Sequence, residues 1–344
     1  MASDQQALLA TAQALVADDK GILAMDESNA TCNKRFAAQG IPQTEEARRA
    51  YREMIVTTPQ LGEYISGAIL YDETIRQQTV EGTSFLNVLV ESGIIAGIKV
   101  DMGAKAMAGH PGEKITEGLD GLRERLTEYF EMGARFAKWR AVFAIGDHAS
   151  SRSCIEANAH ALARYAALCQ EVGLVPIVEP EVLMRGEHTQ ERCLEITREV
   201  LRNVMIQLNC QRVMLEGMIL KPNMVLSGLS CPTQASVDEV ADATVNCLLQ
   251  TVPAAVPGIA FLSGGQSSEL ASARLNDMNV RYKSRAPWAL AFSFGRALQQ
   301  QALEVWAGED ANVKAAQHAL LHQAKCNHTA RRGDYAEAMA WKPL

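Results

Sequence analysis

Apolar runs of strand length recur along the chain and alternate with stretches in which apolar residues follow helical spacing. The eight runs cover residues 21–26, 66–73, 95–101, 136–145, 174–183, 216–225, 258–265 and 289–296. Strands that alternate regularly with helices predict βαβ units and therefore a parallel sheet.

Capping signals mark the start of two of the intervening helices. Ser153 with Glu156, and Ser236 with Glu239, have the spacing of a capping box. Gly173 predicts the end of the first of these helices, because glycine is favoured just after the last helical turn.

The count of eight strand–helix units favours an α/β fold of the closed (β/α)8 TIM-barrel type, and an open doubly wound sheet is the alternative. A chain of 344 residues lies within the range of a single barrel domain. No Pro/Gly/Ser-rich linker, short repeat or low-complexity block divides the sequence. We therefore predict one domain over residues 1–344, with a C-terminal tail of roughly 325–344.

The charge balance narrows the classes of partner. The 33 Lys and Arg residues are outnumbered by 40 Asp and Glu residues, which gives a net charge of −7. Nucleic acids and anionic membranes bind clustered excess positive charge, so we expect neither as a partner. An anionic ligand would therefore have to be bound by positive side chains gathered at its own site.

Cysteine usage and the N-terminus indicate the compartment. The eight cysteines are scattered without a Cys-x-x-Cys pair, which is typical of reduced thiols rather than of a disulfide framework. The N-terminus lacks the basic and apolar regions of a signal peptide, and no run approaches the roughly 20 apolar residues of a transmembrane helix. We expect a cytoplasmic protein.

Charged side chains gather where the predicted strands end, as at Asp26 after the first run. The active site of a barrel lies at the carboxyl ends of its strands. Because residues i and i+2 share one face of a strand, Lys138 with Arg140, and Glu179 with Glu181, should point inward as pairs. An isolated buried charge costs several kcal/mol. These side chains should therefore meet as a ring of compensated charge.

Lys221 lies inside an apolar run and directly precedes Pro222, which favours extended backbone at a strand end. Burial disfavours the ammonium form and lowers the pKa of a lysine, so a nucleophilic amine is one interpretation. A lysine whose ammonium reaches water from the end of a strand is the other.

A nucleophilic amine at Lys221 could attack a ketone and form an iminium, which draws electrons from an adjacent C–C bond. Lys138 and Arg140 nearby would lower its pKa further. Glu179 is placed to move protons in carbinolamine dehydration, and Asp26 could act at the hydroxyl beside the cleaved bond.

Two glycine-containing turns predict an anion site. Ser263-Gly264-Gly265 follows the seventh run, and Gly295-Arg296 ends the eighth, where barrels commonly bind phosphate. Lys99 and the loop of residues 28–35 offer a second positive site on the other side of the mouth. Two separated sites indicate a bis-anionic ligand.

Metal-assisted enolate formation is the competing mechanism, and it needs a cluster of histidines and carboxylates. The seven histidines form no pattern that converges. His318 and His322 are an i, i+4 pair, but we expect them on the surface face of a helix. The sequence therefore favours a covalent lysine mechanism with no metal and no cofactor.

The motifs GILAMDES, GIKVD, FAKWR, IVEPE, LEGMILKPNMV, FLSGGQS and FSFGRAL occur in this order along most of the chain. By these motifs the chain resembles the class I fructose-1,6-bisphosphate aldolases. The resemblance implies a (β/α)8 barrel that assembles as a homotetramer. It also implies reversible cleavage of a phosphorylated sugar, fructose 1,6-bisphosphate, to dihydroxyacetone phosphate and glyceraldehyde 3-phosphate.

The resemblance implies roles for individual residues. Lys221 forms the Schiff base, Glu179 is the general acid/base and Asp26 handles the proton of the cleaved bond, with Lys138 and Glu181 in the same network. The substrate-binding set comprises Ser263, Gly264, Gly295 and Arg296 at the C1 phosphate, with Gly265 and Ser293 at the same strand ends; Ser28, Thr31, Arg35, Lys99 and Arg48 at the distal phosphate; and Arg140 against the substrate.

The chain departs from the family pattern at three places. Asn29-Ala30-Thr31 stands where the family often has a glycine before Ser/Thr, and Met102 stands where many relatives have lysine. Animal and plant members end in a mobile segment whose terminal tyrosine aids proton transfer, whereas this sequence ends Ala340-Trp341-Lys342-Pro343-Leu344, with Tyr335 as the nearest tyrosine. We expect slower proton exchange on the enamine, or another group in the place of that tyrosine.

Two alternatives stand beside this interpretation. A Schiff-base aldolase could prefer another phosphoketose, such as fructose 1-phosphate or sedoheptulose 1,7-bisphosphate. A phosphosugar-binding protein without activity is the alternative from a different class. An enzyme is favoured by the intact set Lys221, Glu179, Asp26 and Lys138, because a binding protein has no use for a dehydration acid.

Overall fold

The structure, a computed structural model, describes residues 2–145 and 150–341. Strands and helices alternate along the chain after an N-terminal helix. They are α1 (Ala2–Leu15), β1 (Gly21–Ala24), α2 (Asn29–Ala37), α3 (Glu45–Val56), β2 (Ile65–Leu70), α4 (Asp72–Ile75), α5 (Phe85–Glu91), β3 (Ile95–Lys99), β4 (Ala104–Ala106), β5 (Lys114–Thr116), α6 (Leu122–Met132), β6 (Phe136–Phe143), α7 (Arg152–Glu171), β7 (Val175–Val182), α8 (Gln190–Cys210), β8 (Ile219–Leu220), α9 (Val237–Thr251), β9 (Gly258–Phe261), α10 (Ser268–Tyr282), β10 (Ala289–Phe292), α11 (Arg296–Trp306) and α12 (Val313–Arg332). Short 3₁₀ helices lie at Leu61–Glu63, Leu215–Gly217, Asp310–Asn312 and Glu337–Met339.

Eight strands form one parallel sheet in the order β1-β2-β3-β6-β7-β8-β9-β10. The two outer strands meet, since the backbone N–H of Ala24 donates to the carbonyl of Phe294 at 3.1 Å. The predicted (β/α)8 barrel is therefore confirmed, and the open doubly wound sheet is wrong. The antiparallel hairpin of β4 and β5 is an addition that the sequence analysis did not predict.

Strand β8 is much shorter than the run of residues 216–225 that predicts it. The 3₁₀ helix Leu215–Gly217 precedes it, and Pro222 follows Lys221 without an N–H to donate. The backbone N–H of Lys221 makes the last ladder bond to β7, at 2.8 Å from the carbonyl of Val178. Beyond the proline, a side chain replaces the backbone as the hydrogen-bond partner of β7: Asn223 Oδ1 accepts from the N–H of Val182 at 2.9 Å.

The two predicted capping boxes have different outcomes. The box at Ser236 and Glu239 is confirmed, because each side chain accepts from the other residue's backbone N–H. The box at Ser153 is wrong: α7 begins two residues earlier, with Ser151 as N-cap. The predicted end at Gly173 is confirmed, with φ of +87° just past the helix.

The interior of the barrel is apolar at its amino-terminal end. Helix α1 closes that end, and its Leu8, Ala12 and Leu15 are buried against the inward-facing side chains of the strands. Phe136 fills much of the space, and a Cβ at Gly97 would lie 2.3 Å from its ring. The inward-facing apolar residues of this layer are Ile22, Ala24, Ile69, Phe136, Val175, Ile177, Ile219, Ala260 and Ala291.

The C-terminal segment continues the helical layer. Helix α12 packs against α10 and α11. The predicted tail of residues 325–344 therefore begins within α12, and its residues 342–344 lie outside the described residues. No helix in the described ranges has the length and apolar character needed to cross a membrane.

Candidate active site

Four charged side chains meet at the carboxyl end of the barrel. Lys138 Nζ lies 2.7 Å from Asp26 Oδ2 and 3.0 Å from Glu179 Oε2. Lys221 Nζ lies 3.3 Å from the other oxygen of the same glutamate, Oε1. No side chain of the four is more than 12% exposed. The predicted ring of opposed charge is present.

The strand period places these side chains. Alternate residues of a strand face the barrel interior. On β7 the inward positions are Val175 and Ile177 in the apolar layer, then Glu179 and Glu181 above it. On β6 Phe136 is followed two residues later by Lys138. Both β6 and β7 therefore carry apolar residues near the amino-terminal end of the barrel and charged residues at its carboxyl end.

Burial and neighbouring charge act in opposite directions on the ionisable groups. Burial raises the pKa of the Asp26 carboxyl, but the charges of Lys138, Lys221 and Lys99 outweigh it and lower the pKa to about 2. The same balance lowers the pKa of Glu179. Burial lowers the pKa of Lys138, but the carboxylates around it outweigh burial and hold the pKa well above its usual range. At neutral pH, Lys138 is therefore an ammonium between two carboxylates.

The two buried lysines have unequal surroundings. Lys138 faces both Asp26 and Glu179, whereas Lys221 faces only Glu179 within ion-pair distance among the described residues. Glu179 Oε2 lies close to Lys138 but at an angle that forms no hydrogen bond. The oxygen that faces Lys221 is therefore Oε1, and Oε2 lies on the Lys138 side of the carboxylate.

Two further ion pairs surround the cluster. Arg140 Nε donates to Glu181 Oε2 at 2.5 Å, and Lys99 Nζ lies 2.8 Å from Asp101 Oδ1. Asp101 also accepts from the backbone N–H of Arg140 at 3.2 Å. Asp101 was not among the predicted site residues, although it ends the run 95–101 two positions after Lys99 and so shares its face.

The Ser263–Gly265 turn has the shape of an anion cradle. Gly264 and Gly265 have φ of +59° and +100°, which favour glycine. A Cβ at position 264 would lie 2.3 Å from Met184 Cε, and one at position 265 would lie 3.1 Å from Arg296 Nη2. Both glycines are therefore needed for the close packing of the turn.

Helix α11 points its N-terminus at the same region. Its first residue is Arg296, and Gly295 before it provides no side-chain cap, so backbone N–H groups remain for a ligand. Ser293 is buried, and its Oγ has no hydrogen-bond partner in residues 2–145 and 150–341. A cavity of about 320 Å³ adjoins the turn. The residues predicted for the C1 phosphate are thus brought together.

The residues predicted for the distal phosphate lie around the start of α2. Ser28 caps this helix and contacts Thr31, with 3.1 Å between the two side-chain oxygens. Arg35 is paired with Glu27. Arg48 makes a two-pronged contact with Glu73, at 2.7 Å for each nitrogen. Both arginines are thus neutralised by carboxylates.

Sequence reasoning missed the residues that hold this side of the site. Arg52 is 2% exposed and lies 2.8 Å from Glu27 Oε2, so Glu27 joins Arg52 and Arg35. Arg52 lies three and four residues before Ile55 and Val56, on the apolar face of α3, and this position was a signal for such a partner. Gln299 donates to the carbonyl of Ala24 at 2.6 Å, and nothing in the sequence pointed to it.

The histidine pair has no metal-site geometry. In the described part of the chain, no group of three or more His, Cys, Asp and Glu side chains could hold a metal ion. His318 is exposed, as expected for a surface helix. His322 is not: it is partly buried, 2.8 Å from the carbonyl of Met339 and edge-on to the Trp341 ring.

Comparisons with known proteins agree with this geometry. A family model described as fructose-bisphosphate aldolase class-I matches residues 7–342. A protein of Xanthomonas campestris pv. campestris named probable fructose-bisphosphate aldolase class 1 is 57% identical over 329 residues, which are 95% of this chain and 98% of the relative. The fructose-bisphosphate aldolase of Dictyostelium discoideum is 51% identical over 331 residues, covering 95% of this chain and 92% of its own.

Two further matches extend the comparison. The Arabidopsis thaliana protein named fructose-bisphosphate aldolase 4, cytosolic is 49% identical over 328 residues, 95% of this chain and 83% of the relative. A solved structure of fructose-bisphosphate aldolase from Plasmodium falciparum, in complex with TRAP and a small molecule inhibitor, matches with a TM-score of 0.96 and 46% identity over 98% of this chain and 97% of that chain. The chain therefore belongs to the class I fructose-bisphosphate aldolase family.

Proposed function

We propose that this protein, a lyase by its family, reversibly cleaves fructose 1,6-bisphosphate to dihydroxyacetone phosphate and glyceraldehyde 3-phosphate through a Schiff base on Lys221. The observation that carries this assignment is the unequal charge around the two buried lysines. Lys138 is held as an ammonium by two carboxylates, and Lys221 faces one at 3.3 Å. An amine must be unprotonated to attack a ketone, and the pair of carboxylates that keeps the proton on Lys138 is not matched at Lys221, so Lys221 is the proposed nucleophile.

Schiff-base formation requires a proton carrier at Lys221. The amine adds to the C2 ketone, and the resulting carbinolamine loses its hydroxyl as water when that oxygen is protonated. Glu179 is the carboxylate nearest to Lys221 Nζ, with its Oε1 at 3.3 Å. Glu179 therefore takes the proton that the amine releases and returns it to the departing oxygen.

Bond cleavage requires a base at the C4 hydroxyl. Asp26 is ionised at neutral pH, because its pKa is lowered to about 2. As Asp26 takes the hydroxyl proton, the C3–C4 electron pair moves to the iminium, which leaves an enamine on Lys221 and frees the aldehyde. Protonation of the enamine at C3 and hydrolysis release dihydroxyacetone phosphate. Lys138 holds both carboxylates in place throughout, and Glu181 holds Arg140 at the mouth.

The phosphate groups occupy opposite sides of the mouth in this proposal. Ser263, Gly264 and Gly265 bind the C1 phosphate through the cradle described above, with Arg296 and the N–H groups after Gly295. Ser293 offers its unpartnered hydroxyl to the substrate.

The distal phosphate is bound by Ser28, Thr31 and Lys99, whose polar groups lie near the start of α2 and the end of β3. Arg35 and Arg48 remain predicted ligands of the distal phosphate. Their carboxylate partners, Glu27 and Glu73, would have to release them before either arginine could bind it.

The cellular compartment and the oligomeric state belong to the same proposal. The eight cysteines are all free, which suits a reducing compartment, and the Arabidopsis thaliana relative is named cytosolic. We place the protein in the cytoplasm as a homotetramer, with a phosphorylated sugar as its partner and neither nucleic acid nor membrane. Light scattering coupled to size exclusion tests the assembly: a mass of one or two chains at micromolar concentration would contradict it.

Borohydride reduction with dihydroxyacetone phosphate, followed by peptide mapping, tests the proposed function. We expect a single reduced adduct on Lys221, and neither adduct nor cleavage activity in Lys221→Met. Lys283→Met, which removes a surface lysine paired with Asp19, is the matched control and should retain both. An adduct on Lys138, or full turnover by Lys221→Met, would show that the assignment is wrong.

Two cheaper measurements separate the alternatives. A Schiff-base enzyme should keep its activity in excess chelator, whereas a metal-dependent one should lose it. Fructose 1-phosphate and sedoheptulose 1,7-bisphosphate share the ketone and the C1 phosphate, so their kcat/KM relative to fructose 1,6-bisphosphate decides substrate preference. We expect the highest value for fructose 1,6-bisphosphate.

A further inference from the structure

Arg274 is a buried arginine behind the Ser263–Gly265 turn. It belongs to α10, is 6% exposed, and its Nη1 donates to Gln266 Oε1 at 2.8 Å. Gln266 Nε2 donates in turn to the carbonyl of Ser263 at 3.0 Å, and the Gln266 backbone N–H donates to the same carbonyl at 3.1 Å. Because a guanidinium can only donate, Arg274 fixes which end of the Gln266 amide faces Ser263.

The charge of Arg274 is uncompensated in the described part of the chain. Arg48 and Arg52, also buried, each pair with a glutamate. Arg274 contacts only a neutral amide oxygen, its Nε has no partner, and burial lowers the pKa of its guanidinium without an opposing carboxylate. A buried charge without a counter-charge is unfavourable, so an anion nearby would stabilise it.

We propose that Arg274 is a positioning residue for the substrate phosphate: it locks the Ser263–Gly265 turn through Gln266 and supplies the positive charge that the phosphate neutralises. The inference rests on the proposed function, in which this turn binds the C1 phosphate. Arg274, on α10, supports the turn without touching the substrate. The inference also predicts an effect on phosphorylated ligands alone, because the ketone is bound elsewhere, at Lys221.

Borohydride trapping on Lys221 with two probe ketones tests the proposal. Dihydroxyacetone phosphate carries the phosphate, and dihydroxyacetone lacks it. In Arg274→Met we expect the half-saturating concentration of dihydroxyacetone phosphate to rise about tenfold, because Arg274 acts on the phosphate through Gln266 and not in direct contact, while that of dihydroxyacetone changes by less than about twofold. Arg274→Lys, which keeps the charge, should recover most of the difference.

Arg331→Met is the matched control. Arg331 is buried like Arg274 and donates to the carbonyls of Val16 and Lys20, at the amino-terminal end of the barrel. Its removal changes the net charge equally but should leave the ratio of the two half-saturating concentrations unchanged. If Arg274→Met fails to fold, Gln266→Glu gives Arg274 a carboxylate partner and should weaken dihydroxyacetone phosphate selectively.

Two results would overturn the proposal: an equal loss for both ketones, which indicates a purely structural role, or an unchanged value for dihydroxyacetone phosphate. A wild-type protein that forms no adduct on Lys221 with either ketone would instead refute the proposed function. The two failures are therefore distinguishable.

Discussion

Lys138→Met removes the ammonium that two buried carboxylates share. The Asp26 carboxyl has a pKa of about 2 instead of its ordinary 3.8, so its ionisation stabilises the folded protein by about 2 kcal/mol. Because the folded-state pKa is the lower one, this stabilisation is present above about pH 4 and is lost as the pH falls towards 2. Removal of one partner from a buried ion pair typically costs about 3–5 kcal/mol, which is the loss we expect in the variant at pH 7.

The pH dependence provides the sharper test. Lys138 is the largest of the charges that oppose burial at Asp26 and Glu179. Without it we expect burial to outweigh the remaining charge of Lys221 and to raise both pKa values above their ordinary values, so the folded state binds protons that the unfolded state releases. Stability of the variant should therefore rise as the pH falls from 7 towards 5, whereas that of the wild type should not. Urea unfolding followed by tryptophan fluorescence at each pH measures both.

A double variant and a surface variant complete the experiment. Adding Asp26→Asn to Lys138→Met removes one unpaired carboxylate and should recover part of the lost stability. Lys283→Met breaks an ion pair with Asp19 in which the lysine is 47% exposed, and should cost less than about 1 kcal/mol. A loss below about 1 kcal/mol in Lys138→Met, or an unchanged pH slope, would refute the reasoning.

Three further substitutions test other parts of the structure. Asn223→Ala leaves the buried N–H of Val182 without a partner, so we expect a loss of about 1–3 kcal/mol in urea unfolding and a lower kcat; an unchanged kcat would show that this contact does not position the lysine. Gly264→Ala combines a φ of +59° with a clash against the methionine beneath the turn, and should raise KM for fructose 1,6-bisphosphate far more than Gly109→Ala, where φ is +76° but no neighbour lies within 4 Å. Equal KM values in the two variants would contradict the packing argument. Ser236→Ala removes a capping box and should lower the unfolding free energy by about 1 kcal/mol without changing kcat; a loss near zero would mean that water replaces the cap.

The periodic features of the sequence predicted the barrel and the centre of the site. Strand residues two apart share a face, so the inward pairs on β6 and β7 followed from the sequence once the strands were assigned. Barrel geometry then placed Asp26 and Lys221 beside them, because the carboxyl ends of all parallel strands meet at one end.

Contacts between distant segments account for what the sequence analysis missed. The cap of α7 is Ser151 and not Ser153 because Glu113, on the unpredicted hairpin, accepts from both the N–H and the Oγ of Ser151. Arg35 pairs with Glu27, eight residues before it, across the turn that leads into α2. Arg48 looked free in the sequence, because its partner Glu73 lies 25 residues away and meets it only when α3 packs against the barrel. Local spacing carries no information about such pairs.

Helix α1 fills the amino-terminal end of the barrel, so the reaction chamber has a single opening. Lys221 sits directly above the apolar floor, and in the proposed mechanism the fragment bound to it cannot leave until the covalent bond is hydrolysed. The aldehyde must therefore depart first, outward past the mouth, and the water that frees the second product must enter along the route that the aldehyde has vacated. In the direction of synthesis the same geometry requires the reverse order: the ketone binds first, and the aldehyde then binds between it and the opening.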